Sequence, residues 1–102
     1  KSGVADLAFE NDVEALLMLR RFFNYLPLSN REKAPVRPSG DPANRLDHSL
    51  DTLVPENPNK PYDIKELILK VVDDGDFFEL QPDHAKNIVT GFARMEGQTV
   101  GI

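Results

Sequence analysis

The chain has no cysteine. That excludes a disulfide scaffold, a thiolate nucleophile and a zinc–thiolate site. It also lacks an excess of basic residues. Twelve Lys and Arg stand against seventeen Asp and Glu, a formal net charge of -5, whereas a nucleic-acid surface shows a basic stripe. No apolar run approaches the roughly 20 residues of a membrane-spanning helix. There is no internal repeat and no glycine pattern that cradles phosphate. Lys1-Ser2-Gly3 is neither a signal peptide nor an initiator methionine, which predicts a segment of something longer.

Proline is abundant and unevenly placed. Seven of the eight prolines fall between Pro27 and Pro61. They divide the 102 residues into an apolar first part, a polar connector and an apolar last part. Alternating apolar positions over 4–9 predict a short strand. Asn11, with Glu14 three residues on, reads as a capping box opening a helix over Asp12 to Leu26. That helix is apolar over about half its circumference, so it should pack on more than one neighbour, and Pro27 ends it.

Residues 27–61 read as a connector of X-Pro turns pinned at intervals, in which Leu46, Leu50, Leu53 and Val54 are spaced as a short helical turn or an anchor. Fully extended it would reach at most about 115–125 Å. A second helix starts at a cap on Asp63, with Glu66 three residues on and Tyr62 placed to staple Leu67. Gly75 supplies its left-handed stop. Phe77 to Leu80 follows as a strand and Pro82-Asp83 as a turn. Asn87 to Met95 and Gln98 to Ile102 read as a hairpin around Glu96-Gly97, with its last strand an open edge. The unfinished ends predict self-association of the isolated chain through that edge and the apolar helix.

No chemistry converges at sequence level. Asp47-His48-Ser49 contains the residue types of a triad, but a triad needs convergence in space, and the stretch reads as a solvated loop. His84 reads as a surface residue after a turn. Asp73, Asp74, Asp76 and Glu79 are acidic neighbours without the ligand spacing of a calcium loop. Gly91-Phe92-Ala93 touches an RNA-binding strand pattern that Arg94 and Met95 break, so Gly91 marks close packing. Arg20-Arg21 reads as a solvated helix face. The expected catalytic, cofactor-binding and metal-binding residues are therefore none.

The ordered phrases say more. Ser2-Gly3-Val4-Ala5, Ala8-Phe9-Glu10-Asn11-Asp12, Phe23-Asn24-Tyr25-Leu26-Pro27 and Asp51-Thr52-Leu53-Val54-Pro55 come first. Pro61-Tyr62-Asp63, Val71-Val72-Asp73-Asp74, Phe77-Phe78-Glu79, Ala85 through Arg94 and Thr99-Val100-Gly101-Ile102 follow. Across essentially its whole length the chain resembles the middle of the carboxyltransferase (beta) subunit of biotin-dependent acyl-CoA carboxylases.

The resemblance implies an α+β fold taken from a two-domain crotonase-like subunit. Residues 1–26 would end the first domain, 27–61 would connect, and 62–102 would begin the second. It implies carboxyl transfer from carboxybiotin, held on a partner carrier domain, to an acyl-CoA, with propionyl-CoA the acceptor pointed to. The residues in hand do not separate acetyl-, propionyl- and methylcrotonyl-CoA. Implied partners are a hexamer of beta subunits and the biotin carboxylase/biotin carrier alpha subunit, with neither nucleic acid nor membrane. The implied location is the bacterial cytoplasm or the mitochondrial matrix. Such subunits act through backbone N–H pairs in glycine-rich loops, and none of those loops maps onto residues 1–102. The segment itself is thus expected to be inactive. A free-standing interaction module without chemistry is the competing expectation.

Overall fold

In the computed structural model, which describes residues 2–102, two helices and three strands carry the fold. They are α1 (Asp12–Phe23), α2 (Ile64–Val71), β1 (Phe77–Leu80), β2 (Thr90–Met95) and β3 (Gln98–Gly101). The expected α+β class is what forms. Lys1, where the first unit was expected to begin, lies outside the described residues.

Helix α1 starts as its cap requires. Asn11 is extended, and its side-chain oxygen accepts from the Glu14 N–H at 2.8 Å. Glu14 reaches back to the N–H of Glu10 at 3.3 Å rather than that of Asn11, so the expected box closes one residue early. The helix also stops at Phe23, short of Leu26. The N–H groups of Tyr25 and Leu26 bond to the carbonyls of Phe22 and Phe23, both at 3.1 Å, which tightens the last turn. Pro27 disfavours helical backbone at the residue before it. The tightened turn leaves Tyr25 buried.

The strand expected over 4–9 does not form. Strand character needs a ladder of partners, and this stretch is tied instead to one residue of a loop. The Asp6 carbonyl accepts from the Gln81 N–H at 2.9 Å and its carboxylate from the Gln81 side chain at 2.7 Å. Gln81 is itself left-handed, with φ 52, which ends extended pairing there.

Polar groups rather than the expected apolar anchor pin residues 27–61, which fold back instead of stretching, and Leu46 and Val54 stay exposed. A 3-10 helix spans His48–Thr52, capped where Asp47 accepts from the Ser49 N–H at 3.0 Å. The Arg37 N–H donates to the Gly97 carbonyl at 2.9 Å. Arg45 places its guanidinium on the carbonyls of Lys70, Val71 and Val72 at 2.6, 3.0 and 3.0 Å. These are the orphan acceptors at the end of α2.

Helix α2 is capped at Asp63, whose carboxylate accepts from the Lys65 N–H at 3.0 Å. The stop expected at Gly75 lies elsewhere. The helix ends at Val71 because Val72 is already extended. The left-handed residues Asp74 and Gly75 come later, in a separate 3-10 turn over Asp73–Gly75. With Arg45 satisfying the last carbonyls, no glycine-based closure is needed.

The sheet is antiparallel in the order β1-β2-β3. Glu96 and Gly97, both at positive φ, form the expected two-residue turn. β2 begins at Thr90 rather than Asn87, because β1 runs out of partners at the Leu80–Thr90 pair. Alternation along β2 then assigns the two faces. Ala93 joins Ile68 and Val72 of α2 in one cluster, flanked by Phe77, Val89 and Val100. Phe92 and Phe78 face the other way, where the rings of Phe22 and Tyr25 lie 5.6 to 6.1 Å from them. The sheet is thus covered by α1 on one face and α2 on the other. At Gly91 a Cβ would collide with the Phe78 carbonyl oxygen, so the close packing expected there is present.

Candidate functional site

The residue types of a triad do not assemble. The Ser49 hydroxyl bonds to the Asp47 carboxylate, the Lys70 ammonium donates to Ser49 Oγ at 2.7 Å, and the His48 ring stands in solvent beside Asp51. The hydroxyl and backbone N–H of Ser49 hold the Asp47 carboxyl below its ordinary value. His84 is exposed and its ring rests over Gly3.

The acidic neighbours separate, each toward a different element. Asp73 accepts from the N–H groups of Glu96 and Gly97 at 3.1 and 2.6 Å, clamping the hairpin turn. The Asp74 carboxylate accepts from Ser39 Oγ at 3.2 Å. Glu79 pairs with Lys65 at 2.7 Å, and that bond raises the Lys65 pKa. Asp76 turns toward α1. Among the described residues no group of three or more His, Cys, Asp or Glu could hold a metal ion.

One polar cluster does converge, and no sequence pattern announced it. Asp76 accepts from Arg21 and, at 3.1 Å, from the Tyr25 hydroxyl. Arg21 also donates to the Phe77 carbonyl at 3.3 Å. It is a tie between α1 and β1, which corrects the solvated face expected for it. Arg94, 6% exposed, lays its guanidinium 4.2 Å from the Tyr25 ring centroid and donates to the Asn24 carbonyl at 2.8 Å. Its Nη1 lies 3.7 Å from Asp76, and its Nε is buried without a hydrogen-bond partner among the described residues. Burial and the adjacent Asp76 charge push the Tyr25 pKa above its ordinary value. A cavity of about 70 Å³ adjoins this cluster, lined by Arg37, Asp73, Asp74, Asp76 and Arg94.

A signal for the burial of Arg94 alone was present in the sequence. It occupies the same strand face as Phe92, where alternation points inward. Chemically the cluster holds parts together. Asp76 is occupied by three cationic or hydroxyl partners and is a poor general base. The N–H groups of Gly91 and Gly97 are already taken, by the Ile102 carbonyl and by Asp73.

These features define an α+β chain organised around a part-buried aromatic and ionic joint. The chain belongs to the carboxyl transferase domain family, which matches residues 1–102. It is 65% identical over 102 residues to the propionyl-CoA carboxylase beta chain of Roseobacter denitrificans, covering 100% of this chain and 20% of that one. It is 58% identical over 101 residues to the mitochondrial propionyl-CoA carboxylase beta chain of Homo sapiens, covering 99% and 19%. Among solved structures it resembles transcarboxylase 12S, a hexamer with hydrolysed methylmalonyl-CoA bound. There the TM-score is 0.91 at 36% identity, over 98% of this chain and 20% of that one. The expected family and the crotonase-like α+β fold are both borne out. The chain spans about one fifth of the length of the curated relatives it matches.

Proposed function

We propose that this chain is the central structural segment of an acyl-CoA carboxylase carboxyltransferase subunit. The parent subunit moves a carboxyl group from carboxybiotin to propionyl-CoA. The observation that carries this reading is the 65% identity to a propionyl-CoA carboxylase beta chain over every residue of the chain. In this reading residues 1–26 close one crotonase-like unit, 27–61 connect, and 62–102 open the next. The parent works as an oligomer of such subunits, with a biotin-carrying alpha subunit as its partner. The segment contributes no catalytic side chain. It holds α1 against the hairpin through Asp76, Tyr25 and Arg94.

A chimera tests the proposal. These 102 residues replace their counterpart in the Roseobacter denitrificans beta chain, which is then assayed with its alpha subunit for carboxylation of propionyl-CoA. Activity within a few-fold of the parent is expected, with the isolated chain giving none. A folded but inactive chimera counts against the family role. Turnover by the isolated chain overturns the claim that the catalytic groups lie outside it.

A further inference from the structure

Arg94 is 6% exposed, and every nitrogen of a guanidinium is a donor that needs an acceptor. Its Nη2 donates to the Asn24 carbonyl at 2.8 Å. Its Nη1 stands 3.7 Å from the Asp76 carboxylate, too far for a direct hydrogen bond. Its Nε is buried without a partner among the described residues. Arg94 also lines the cavity of about 70 Å³, together with Arg37, Asp73, Asp74 and Asp76. The wall of that cavity runs from exposed Arg37 and Asp74, through half-buried Asp73 and Asp76, to buried Arg94. Its charge is balanced. Arg37 and Arg94, with Arg21 paired to Asp76, set three cations against the three carboxylates.

We propose that this cavity is a binding site for ordered water, and that a water held there accepts from Arg94 Nη1 and donates to the Asp76 carboxylate. Two charged partners just beyond hydrogen-bond reach are the setting in which water bridges. A buried guanidinium left short of acceptors is costly, which favours the bridge. The volume suits one or two waters at about 30 Å³ each, and the polar wall offers the several partners that a buried water needs. The wall also selects a neutral ligand. A cation entering would meet two guanidinium groups, and an anion would meet three carboxylates. Water both accepts from the first and donates to the second. The site lies between two ties in the fold, the Asp76 joint with α1 and the Asp73 clamp on the hairpin turn, and hydrogen bonding through the water makes them one network. Any chain packed outside the wall closes the cavity further, so the site needs no free surface. The inference rests on residues of this chain and not on the proposed catalytic parentage.

Two measurements on the full 102-residue chain test it. A high-resolution crystal structure should show a water within about 2.7–3.2 Å of both Arg94 Nη1 and an Asp76 carboxylate oxygen. Soaks in rubidium and bromide salts should leave the cavity without an anomalous peak. In solution, oxygen-17 relaxation dispersion should report long-lived water. Arg37→Ala removes part of the outer wall, while the N–H at that position still reaches the Gly97 carbonyl. The opened site should exchange its water faster and lose that part of the dispersion. Lys33→Ala, at an exposed position that does not line the cavity, should leave the dispersion unchanged. Backbone amide spectra establish that both variants keep the parent fold. A dry cavity, a cavity filled by a side chain, or an ion peak within it overturns the proposal. A dispersion that Arg37→Ala leaves unchanged overturns it as well, because the long-lived water then lies elsewhere.

Discussion

The guanidinium of Arg94 stacks 4.2 Å from the ring centroid of Tyr25, and the two residues share Asp76 as a partner. Arg94 comes from the central strand and Tyr25 from the turn after α1. Their contact is one of several, with Arg21 on Asp76 and Phe22 on Phe78 and Phe92, that join the parts of the chain flanking the proline-rich stretch. A buried guanidinium needs its charge stacked or paired and its donors used; here the Tyr25 ring and Asp76 compensate the charge and the Asn24 carbonyl takes one donor, while Nε has no partner among the described residues.

Arg94→Met should therefore destabilise the fold by about 2–3 kcal/mol, since it leaves the Asn24 carbonyl without its donor and Asp76 with one fewer cation. Urea melts with matched slopes measure this. An unchanged midpoint would mean that the joint adds nothing to stability.

Tyr25 has a raised pKa because burial, and then the Asp76 charge, disfavour the phenolate. The sign follows from linkage. The folded state holds the proton more tightly than the unfolded one, so this contribution is fully present below the ordinary value of 10.0 and is lost as pH rises through the folded value. In a Tyr62→Phe background the ultraviolet absorbance of tyrosinate reports Tyr25 alone. Its midpoint should lie above 10.0, with unfolding following ionisation, and a midpoint at or below 10.0 contradicts the burial.

Gly91→Ala should cost on the order of 1–3 kcal/mol, because the new methyl meets the Phe78 carbonyl and the Phe77 ring in a place where backbone must move. At Gly101 an added methyl would meet nothing within 4 Å, so Gly101→Ala should stay within about 0.5 kcal/mol. Thermal melts of the two variants side by side decide the matter, and equal effects would refute the packing role of Gly91.

The cap at Asp63 is local and easily probed. Asp63→Ala removes the acceptor of the Lys65 N–H and should cost about 1 kcal/mol, whereas Asp63→Ser should recover most of it. Chemical denaturation of all three chains is the measurement, and an Ala variant as stable as the parent rules out the cap.

The sequence by itself determined what depends on neighbours a few residues apart. Asn11 and Asp63 cap their helices through N–H groups two or three residues away, and Glu96-Gly97 turns the hairpin with its own backbone angles. The family was legible too, because ordered phrases survive along the whole chain. Tertiary structure decided what depends on partners far away in the chain. The strand expected over 4–9 failed because no ladder came to meet it, and α2 ended early at the extended Val72, where Arg45 from a distant stretch of chain takes the freed carbonyls. Arg21 looked solvated until Asp76, 55 residues on, reached it. The joint of Asn24, Tyr25, Asp76 and Arg94 spans separations of 51 to 70 residues. Periodicity names the face on which such side chains lie, but only the closed fold pairs charge with charge, because those energies depend on distance and burial that no local pattern encodes.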